Sequence, residues 1–310
     1  MSKTAFIFPG QGAQAVGMGK DVAQAYPVAR EVFDHANGIL GFDLKTLCFD
    51  GPPDRLNATD ISQPAIFVTS VAIHRVLEDK GILDRENPRA MAGLSLGEYT
   101  ALHLAGWLDF EDCLRLVAER GRLMQAASEA NPSGMVSIIG LDEPQANDLC
   151  REAAQGGVLV PANFNCPGQI AVSGDKDACD RALEIADKFG ARAVQLTVAG
   201  AFHSPLMESA AKGLQPALAA SKMKAGRIGV VSNVSADYHA GPDSVRKLLH
   251  EQVAKPIRWQ ASIERLIGEG FDRFVEVGPG KVLTGLMRRI DRSVKAVNFS
   301  SAQSIEERVA

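Results

Sequence analysis

The chain has 310 residues, of which 46% are hydrophobic and 23% charged, values typical of a soluble globular protein long enough for about two domains. Its 33 basic and 37 acidic side chains give a formal net charge of −4, which excludes nucleic-acid binding as the main role. The longest charge-free run, residues 153–174, contains two prolines and four glycines and therefore cannot form a membrane-spanning helix.

The first residues and the cysteine pattern indicate the cellular compartment in which we expect the protein. The apolar run near the start is broken at Pro9 and is too brief for a secretory leader, so we expect a cytoplasmic protein with no membrane partner. The five cysteines include no C-x-x-C pair, which predicts reduced thiols. The six histidines lack metal-binding spacing, so we expect neither a metal nor another cofactor.

The first third of the chain alternates strands and helices. Its predicted elements are a strand at 4–8, helical pattern at 18–36, a helix at 62–80, a strand at 89–92, and helices at 96–104 and 109–127. Ser62 and Asp109 are typical helix caps, and Pro64 suits a first helical turn.

The middle of the chain has a different pattern. A β-α-β-β-α-β order is predicted from strands at 135–140, 158–163, 169–173 and 191–197 and helices at 143–154 and 176–189, and this order is ferredoxin-like. Alternation then resumes, with strands at 228–232 and 273–277 and helices near 205–220, 243–253, 259–269 and 280–290. The last ten residues have no strong pattern, and we expect them to fray.

These elements predict one larger α/β domain, built from residues 1–128 and 201–310, with a small α+β insert at 129–200. A cleft between the two parts is the expected position of a functional site.

One pentapeptide in the first block indicates nucleophilic catalysis. Residues 93–97 read G-L-S-L-G and match G-x-S-x-G, and they lie between a predicted strand and a predicted helix. The glycines permit a sharp turn that exposes Ser95 at the N-terminus of a helix. The alternative interpretation is an ordinary turn.

A serine nucleophile needs a base, and His203 is the histidine best placed to supply it. It follows a predicted strand and precedes Ser204 and Pro205, which resemble a helix cap and a first helical residue. No acidic partner stands out by position.

Arg120 lies on the apolar stripe of the predicted helix at 109–127. It is either an arginine whose stem snorkels past the edge of the core or a buried guanidinium that binds an anionic ligand, ideally a carboxylate.

The glycine turn at 10–15 formally fits the dinucleotide motif G-x-G-x-x-A. We reject that interpretation because helical pattern stands where the motif requires a second strand that ends in an acidic residue. A glycine turn of this kind can instead present a backbone N–H to an oxyanion.

Together, six short motifs carry a resemblance over nearly the whole length of the chain. They are FPGQG at 8–12, GLSLGEY at 93–99, RGRLMQ at 120–125, NFNCPGQ at 163–169, FHSP at 202–205 and EVGPG at 276–280. The chain resembles the malonyl-CoA:acyl-carrier-protein transacylases of bacterial fatty-acid synthesis. The resemblance implies a larger α/β-hydrolase-like domain with a mostly parallel sheet, interrupted by a small ferredoxin-like subdomain.

The resemblance also implies an activity and its residues. Malonyl-CoA would donate its acyl group to Ser95, and the phosphopantetheine thiol of acyl carrier protein would accept it in a ping-pong exchange. The implied roles are nucleophile for Ser95, base for His203, oxyanion N–H donors for Gln11 and Leu96, carboxylate binding for Arg120, orientation of the base by the carbonyl of Gln252, and acyl selectivity for Phe202.

One position departs from the family. Leu94 precedes the nucleophile where the family usually has a histidine, and a leucine side chain cannot form a hydrogen bond. Two alternatives to the transferase are a serine hydrolase, which shares G-x-S-x-G, and a non-catalytic acyl-binding protein. A hydrolase is disfavoured because only one strand is predicted before residue 89. A non-catalytic protein is disfavoured because Ser95, His203 and Arg120 are all intact.

Overall fold

In the computed structural model, which describes residues 2–309, nine strands form two separate sheets. The strands are β1 (Thr4–Phe8), β2 (Ala90–Gly93), β3 (Ser133–Ile139), β4 (Leu159–Cys166), β5 (Gln169–Asp175), β6 (Arg192–Gln195), β7 (Gly229–Val231), β8 (Arg273–Val277) and β9 (Lys295–Phe299).

Between residues 2 and 309, fifteen α-helices connect and cover these strands. They are α1 (Lys20–Ala25), α2 (Pro27–Leu40), α3 (Leu44–Asp50), α4 (Pro53–Asn57), α5 (Thr59–Asp79), α6 (Ile82–Glu86), α7 (Leu96–Leu104), α8 (Phe110–Ala130), α9 (Glu143–Ala154), α10 (Lys176–Ile185), α11 (Glu208–Ala220), α12 (Pro242–Gln252), α13 (Trp259–Gly268), α14 (Val282–Ile290) and α15 (Ala302–Val309). Within residues 2–309, none of them is both long enough and apolar enough to cross a membrane.

The larger sheet is parallel throughout, in the order β7-β2-β1-β8-β9. Successive side chains of the central strand β1 point to opposite faces, as a strand requires. Phe6 and Phe8 therefore enter the core formed with α2, α5, α7 and α8, whereas Ala5 and Ile7 enter a second core under α13 and α14. The prediction of a mostly parallel α/β sheet is confirmed.

The smaller sheet is antiparallel, in the order β4-β5-β3-β6. Its chain order β3-α9-β4-β5-α10-β6 is the predicted ferredoxin-like one. One face packs against α9 and α10, where Val136 and Val172 are buried. From the opposite face, Met135 and Ala171 join the core of the larger sheet. The sheet thus covers part of the larger one and supplies a second wall at the carboxyl ends of its strands.

Several predicted boundaries are wrong. Helix α5 begins at Thr59 rather than at Ser62, and Pro64 lies inside it. The N–H of Thr59 donates to Gln125 Oε1 of α8, so a tertiary contact rather than a local cap satisfies the start of this helix. The helical pattern at 18–36 is divided before Pro27, which opens α2 as its first residue.

The end of the chain is more ordered than expected. Strand β9, which was not predicted, extends the larger sheet as an edge strand beside β8, and only its alternate residues Val297 and Phe299 are buried. Helix α15 follows it, and Ile305 buries against the core, so the expectation that the last ten residues fray is wrong for residues 302–309. Ile305 is the one buried side chain among residues 302–308, and this gives too weak a pattern to predict the helix.

The turn between β2 and α7 depends on close backbone contact with β1. A Cβ atom at Gly97 would lie 2.1 Å from the carbonyl oxygen of Phe8, and one at Gly93 would lie 1.9 Å from the carbonyl carbon of Gly97. These neighbours are main-chain atoms of a paired strand and a helix, so they cannot move aside. Only glycine fits at both positions.

Gly97→Ala is therefore expected to lower the free energy of unfolding by about 1–3 kcal/mol through overpacking, which a thermal melt measures. Gly285→Ala is the matched control, because Gly285 is an exposed residue of α14 with open space around its Cα. That change is expected to raise the stability by up to about 1 kcal/mol. A Gly97→Ala protein that melts with the wild type would contradict this account of the turn.

Candidate active site

Ser95 occupies the turn between β2 and α7 in a conformation that residues other than glycine rarely adopt. Its φ is 53° and its ψ is −106°. Its N–H donates to Asn233 Oδ1 at 2.6 Å, and Asn233 Nδ2 donates to the carbonyl of Gly93 at 2.8 Å. These bonds hold the strained turn from both sides, and local strain of this kind is typical of functional residues.

The serine hydroxyl is paired with His203. Ser95 Oγ lies 2.8 Å from His203 Nε2, and His203 Nδ1 lies 2.7 Å from the carbonyl oxygen of Gln252. Because a carbonyl can only accept, Nδ1 carries the ring proton, which leaves Nε2 free to accept from the serine hydroxyl. The structure thus brings the predicted Ser95, His203 and Gln252 into one chain of hydrogen bonds, with a carbonyl where a Ser-His-Asp triad has an acid.

His203 is buried and its environment favours the neutral ring. Burial and, to a smaller extent, the nearby Arg120 charge lower the pKa of His203 to about 3, although the hydrogen bond to Gln252 acts in the opposite direction. A neutral imidazole at physiological pH is the form that can accept a proton.

Arg120 is 1% exposed and points at the serine. Its Nη2 donates to Ser95 Oγ at 3.0 Å and to Gln252 Oε1 at 3.1 Å, and its Nη1 donates to Gln63 Oε1 at 2.6 Å. Its guanidinium carbon also lies 5.4 Å from the centre of the Tyr99 ring. The side chain therefore does not snorkel to the surface.

Arg120 is held by neutral partners. Within residues 2–309 it forms no ion pair, and its Nε has no hydrogen-bond partner. Burial lowers the pKa of Arg120, while Tyr99 and Glu98 oppose that effect. An arginine has five N–H donors, so this one keeps capacity for a carboxylate of a ligand.

A cavity of about 190 Å³ opens in front of these groups, between the two sheets. Its lining includes every predicted site residue except Leu96 and Gln252, and it consists of Gln11, Leu94, Ser95, Arg120, Met124, Met135, Asn163, Asn165, Gln169, Ala171, Leu196, Val198, Phe202, His203, Val282 and Leu286. The apolar share of this lining suits an acyl chain, and two of its polar residues, Arg120 and His203, form hydrogen bonds to the serine hydroxyl.

Two backbone N–H groups belong to residues beside the cavity or the serine. Gln11 follows β1, and Leu96 is the first residue of α7, directly after the serine. In the described part of the chain, neither N–H donates to a protein acceptor. A backbone N–H at a helix N-terminus beside a nucleophile is a suitable partner for a developing oxyanion.

Three buried polar residues around the site were not predicted: Gln63, Glu98 and Asn233. Gln63 lies one helical turn before Ile66 on the apolar stripe of α5, as Arg120 does in α8, so the same reasoning could have found it. Asn233 follows the carboxyl end of β7, but its role depends on the neighbouring strand β2. In residues 2–309, no three His, Cys, Asp or Glu side chains gather to hold a metal ion.

Comparison with known proteins gives the family and agrees with the fold. The family model described as an acyl transferase domain matches residues 5–306. A malonyl CoA-acyl carrier protein transacylase of Escherichia coli (strain K12) is 43% identical over 307 residues, 98% of each chain. The chain belongs to the malonyl-CoA:acyl-carrier-protein transacylase family.

Solved structures of this transacylase family have the same fold. An acyl carrier protein S-malonyltransferase from Vibrio cholerae superposes with a TM-score of 0.93, at 42% identity and 99% coverage of both chains. A malonyl-transacylase solved in complex with a type II PKS acyl-carrier protein gives a TM-score of 0.95, at 40% identity and 99% coverage of both chains.

The depressed pKa of His203 predicts a dependence of stability on pH. The folded ring has a pKa of about 3, whereas a histidine of the unfolded chain titrates near ~6.5, so below that value the unfolded state takes up a proton that the folded state refuses. The contribution of His203 is fully present above pH ~6.5 and is lost as the pH falls, by at most about 1.4 kcal/mol per pH unit.

His203→Gln lacks this titrating group, so only the wild type loses stability in this way. The unfolding free energy of the wild type minus that of the variant is therefore expected to become smaller from pH ~7 to pH ~5. Urea unfolding at several pH values measures it. Parallel curves for the two proteins would contradict the buried neutral ring.

Proposed function

We propose that the chain transfers a malonyl group from coenzyme A to the phosphopantetheine thiol of acyl carrier protein, through a covalent malonyl-serine at Ser95, and thereby supplies fatty-acid synthesis. The observation that supports this most directly is the convergence of the Ser95–His203–Gln252 hydrogen-bond chain and the buried Arg120 on a single hydroxyl oxygen. That oxygen is at once the nucleophile and the neighbour of a carboxylate-binding group.

In the first half-reaction, Ser95 Oγ attacks the thioester carbonyl while its proton moves to His203 Nε2. The resulting oxyanion accepts hydrogen bonds from the N–H groups of Gln11 and Leu96, and one such donor contributes roughly 10²–10³ in rate. When the intermediate collapses, the C–S bond breaks and the coenzyme A sulfur takes the proton from His203. Gln252 keeps the imidazolium oriented through its carbonyl.

The second half-reaction reverses these steps with another thiol. His203 removes the proton of the phosphopantetheine thiol, the sulfur attacks the malonyl-serine ester, and the returning proton restores the Ser95 hydroxyl. Donor and acceptor thus use the same cavity in turn, which is the ping-pong order.

Arg120 would hold the free carboxylate of the malonyl group. On ligand binding its Nη2 can exchange the serine oxygen for a carboxylate oxygen, and its unpartnered Nε adds a second donor. A charge-assisted bond of this kind is worth roughly 1.5–3 kcal/mol, which is about 10- to 100-fold in rate.

Phe202 would limit the acyl group. It is buried in the cavity wall beside His203, and its ring leaves little space for a branched acyl chain. Leu94, which is also part of the wall, packs its side chain towards Gly10 and contributes apolar surface only. We further propose that the catalytic domain comprises residues 1–128 and 201–310 and the insert residues 129–200.

Ser95→Ala is expected to abolish the covalent adduct that labelled malonyl-CoA forms with the wild type, because no other group replaces the attacking oxygen. Mass spectrometry of the intact protein measures this adduct. Ser173→Ala is the matched control, since its buried hydroxyl has no partner among residues 2–309 and it should retain the label.

An adduct that survives in Ser95→Ala would refute this assignment. Release of free malonate by the wild type at the rate of transfer, with no thiol acceptor present, would instead indicate a hydrolase.

Arg120→Met is expected to slow acylation by malonyl-CoA about 10- to 100-fold and to slow acylation by acetyl-CoA much less, because only malonyl carries a carboxylate. Acylation reactions with each donor, quenched at successive times, measure the two rates. Arg115→Met changes an exposed arginine of the same helix, whose ion pair with Glu111 is a surface one, and should leave both rates unchanged. Equal losses for both donors in Arg120→Met would show a structural role only.

A further inference from the structure

Glu98 is a fully buried carboxylate that lies behind the active site and does not touch the cavity. Its Oε1 accepts from His239 Nε2 at 2.8 Å, and its Oε2 accepts from the N–H of Asn233 at 2.9 Å and from Gln252 Nε2 at 2.8 Å. Glu98 is also the third residue of α7, so the dipole of that helix favours its negative charge.

Glu98 and the carbonyl of Ser95 together fix which way the Gln252 amide faces. Gln252 Nε2 donates to Glu98 Oε2 and to the carbonyl of Ser95, so its Oε1 points to the other side and accepts from Arg120 Nη2. If the amide turned over, two donors would face each other at Arg120. The main-chain carbonyl of the same residue accepts from His203.

The bond to Asn233 reaches the nucleophile. Asn233 is held through its N–H by Glu98, and its Oδ1 accepts from the N–H of Ser95. One carboxylate is therefore two hydrogen bonds away from the serine and from the arginine.

Resting on the proposed function, we propose that Glu98 is a positioning residue for acyl selection: by fixing the Gln252 amide, it presents Arg120 to the acyl carboxylate beside Ser95. It touches neither substrate nor the reacting atoms. The length of the Glu98 side chain matters more than its charge, because Glu98 provides Gln252 with a hydrogen-bond acceptor at a fixed position.

Two variants separate the effect of side-chain length from the effect of charge. Glu98→Gln keeps the length, and its amide oxygen can accept from Gln252 while its NH₂ group faces His239, whose ring proton moves to Nδ1. Glu98→Asp keeps the charge but is one methylene shorter, so its oxygen no longer reaches Gln252. Glu111→Asp is the matched control, since it is the same change at an exposed first-turn residue of α8.

The readout is the ratio of the rates of Ser95 acylation by malonyl-CoA and by acetyl-CoA, measured on the intact protein by mass spectrometry. We expect the ratio to fall about tenfold in Glu98→Asp, the lower end of the effect of a hydrogen bond to a charged group, and to stay close to wild type in Glu98→Gln and Glu111→Asp. Loss in Glu98→Gln with retention in Glu98→Asp would overturn the proposal, and so would an unchanged ratio in both.

A double-mutant cycle tests the route. In a Gln252→Met background, which removes the amide at similar length, Glu98→Asp should no longer change the ratio, because the group that transmits its effect is gone. A tenfold fall in both backgrounds would overturn the proposal. If Glu98→Asp does not fold, Gln252→Met alone must lower the ratio, and an unchanged ratio would overturn it.

Failure of the wider function is recognised separately. A wild-type protein that takes no malonyl onto Ser95 would overturn the transferase function and this inference with it. A wild type that is acylated, with ratios unaffected by Glu98, would overturn the positioning role alone.

Discussion

The burial of one positive charge organises the active site. Arg120 is buried, and among residues 2–309 no carboxylate contacts it. Burying a charged side chain in this way costs several kcal/mol of folding free energy unless its donors are satisfied. The chain supplies three neutral oxygens, from Gln63, Gln252 and Ser95, on three different elements of structure. These oxygens keep the guanidinium in place and leave its charge unneutralised. An arginine held in this way is more attractive to an incoming carboxylate than one already paired with an acid.

Local strain and long-range hydrogen bonds support each other at Ser95. The φ of 53° at Ser95 is maintained because its N–H and the carbonyl of Gly93 are both bound by Asn233, and Asn233 is bound by Glu98. Glycine at 93 and 97 allows the main chain of β1 to approach closely. A polar network that is so fully connected rigidifies a site, whereas partial loss leaves buried groups without partners.

The sequence predicts the site best where chemistry and position coincide. G-x-S-x-G places Ser95 between a strand and a helix, and His203 lies in the loop after the predicted strand at 191–197. Arg120 is recognisable because it is a charged residue on the apolar stripe of α8. The parallel sheet and the ferredoxin-like order were predictable from the same periodicities. Strand β9 and helix α15 were not, because each buries few side chains. The roles of Glu98 and Asn233 could not be predicted at all, since they depend on contacts between residues more than 130 positions apart.

Chain order has a consequence for synthesis of the protein. Ser95 and Gln252, whose carbonyl accepts from His203, are 157 positions apart, and the whole small sheet is made between them. Contacts of such sequence separation form late in folding, and domains emerge from the ribosome N-terminus first. A nascent chain that ends between residues 203 and 252 has Ser95 and His203 but lacks the carbonyl that accepts from the His203 ring. The Ser95–His203–Gln252 chain of hydrogen bonds can therefore form only after residue 252 has been made.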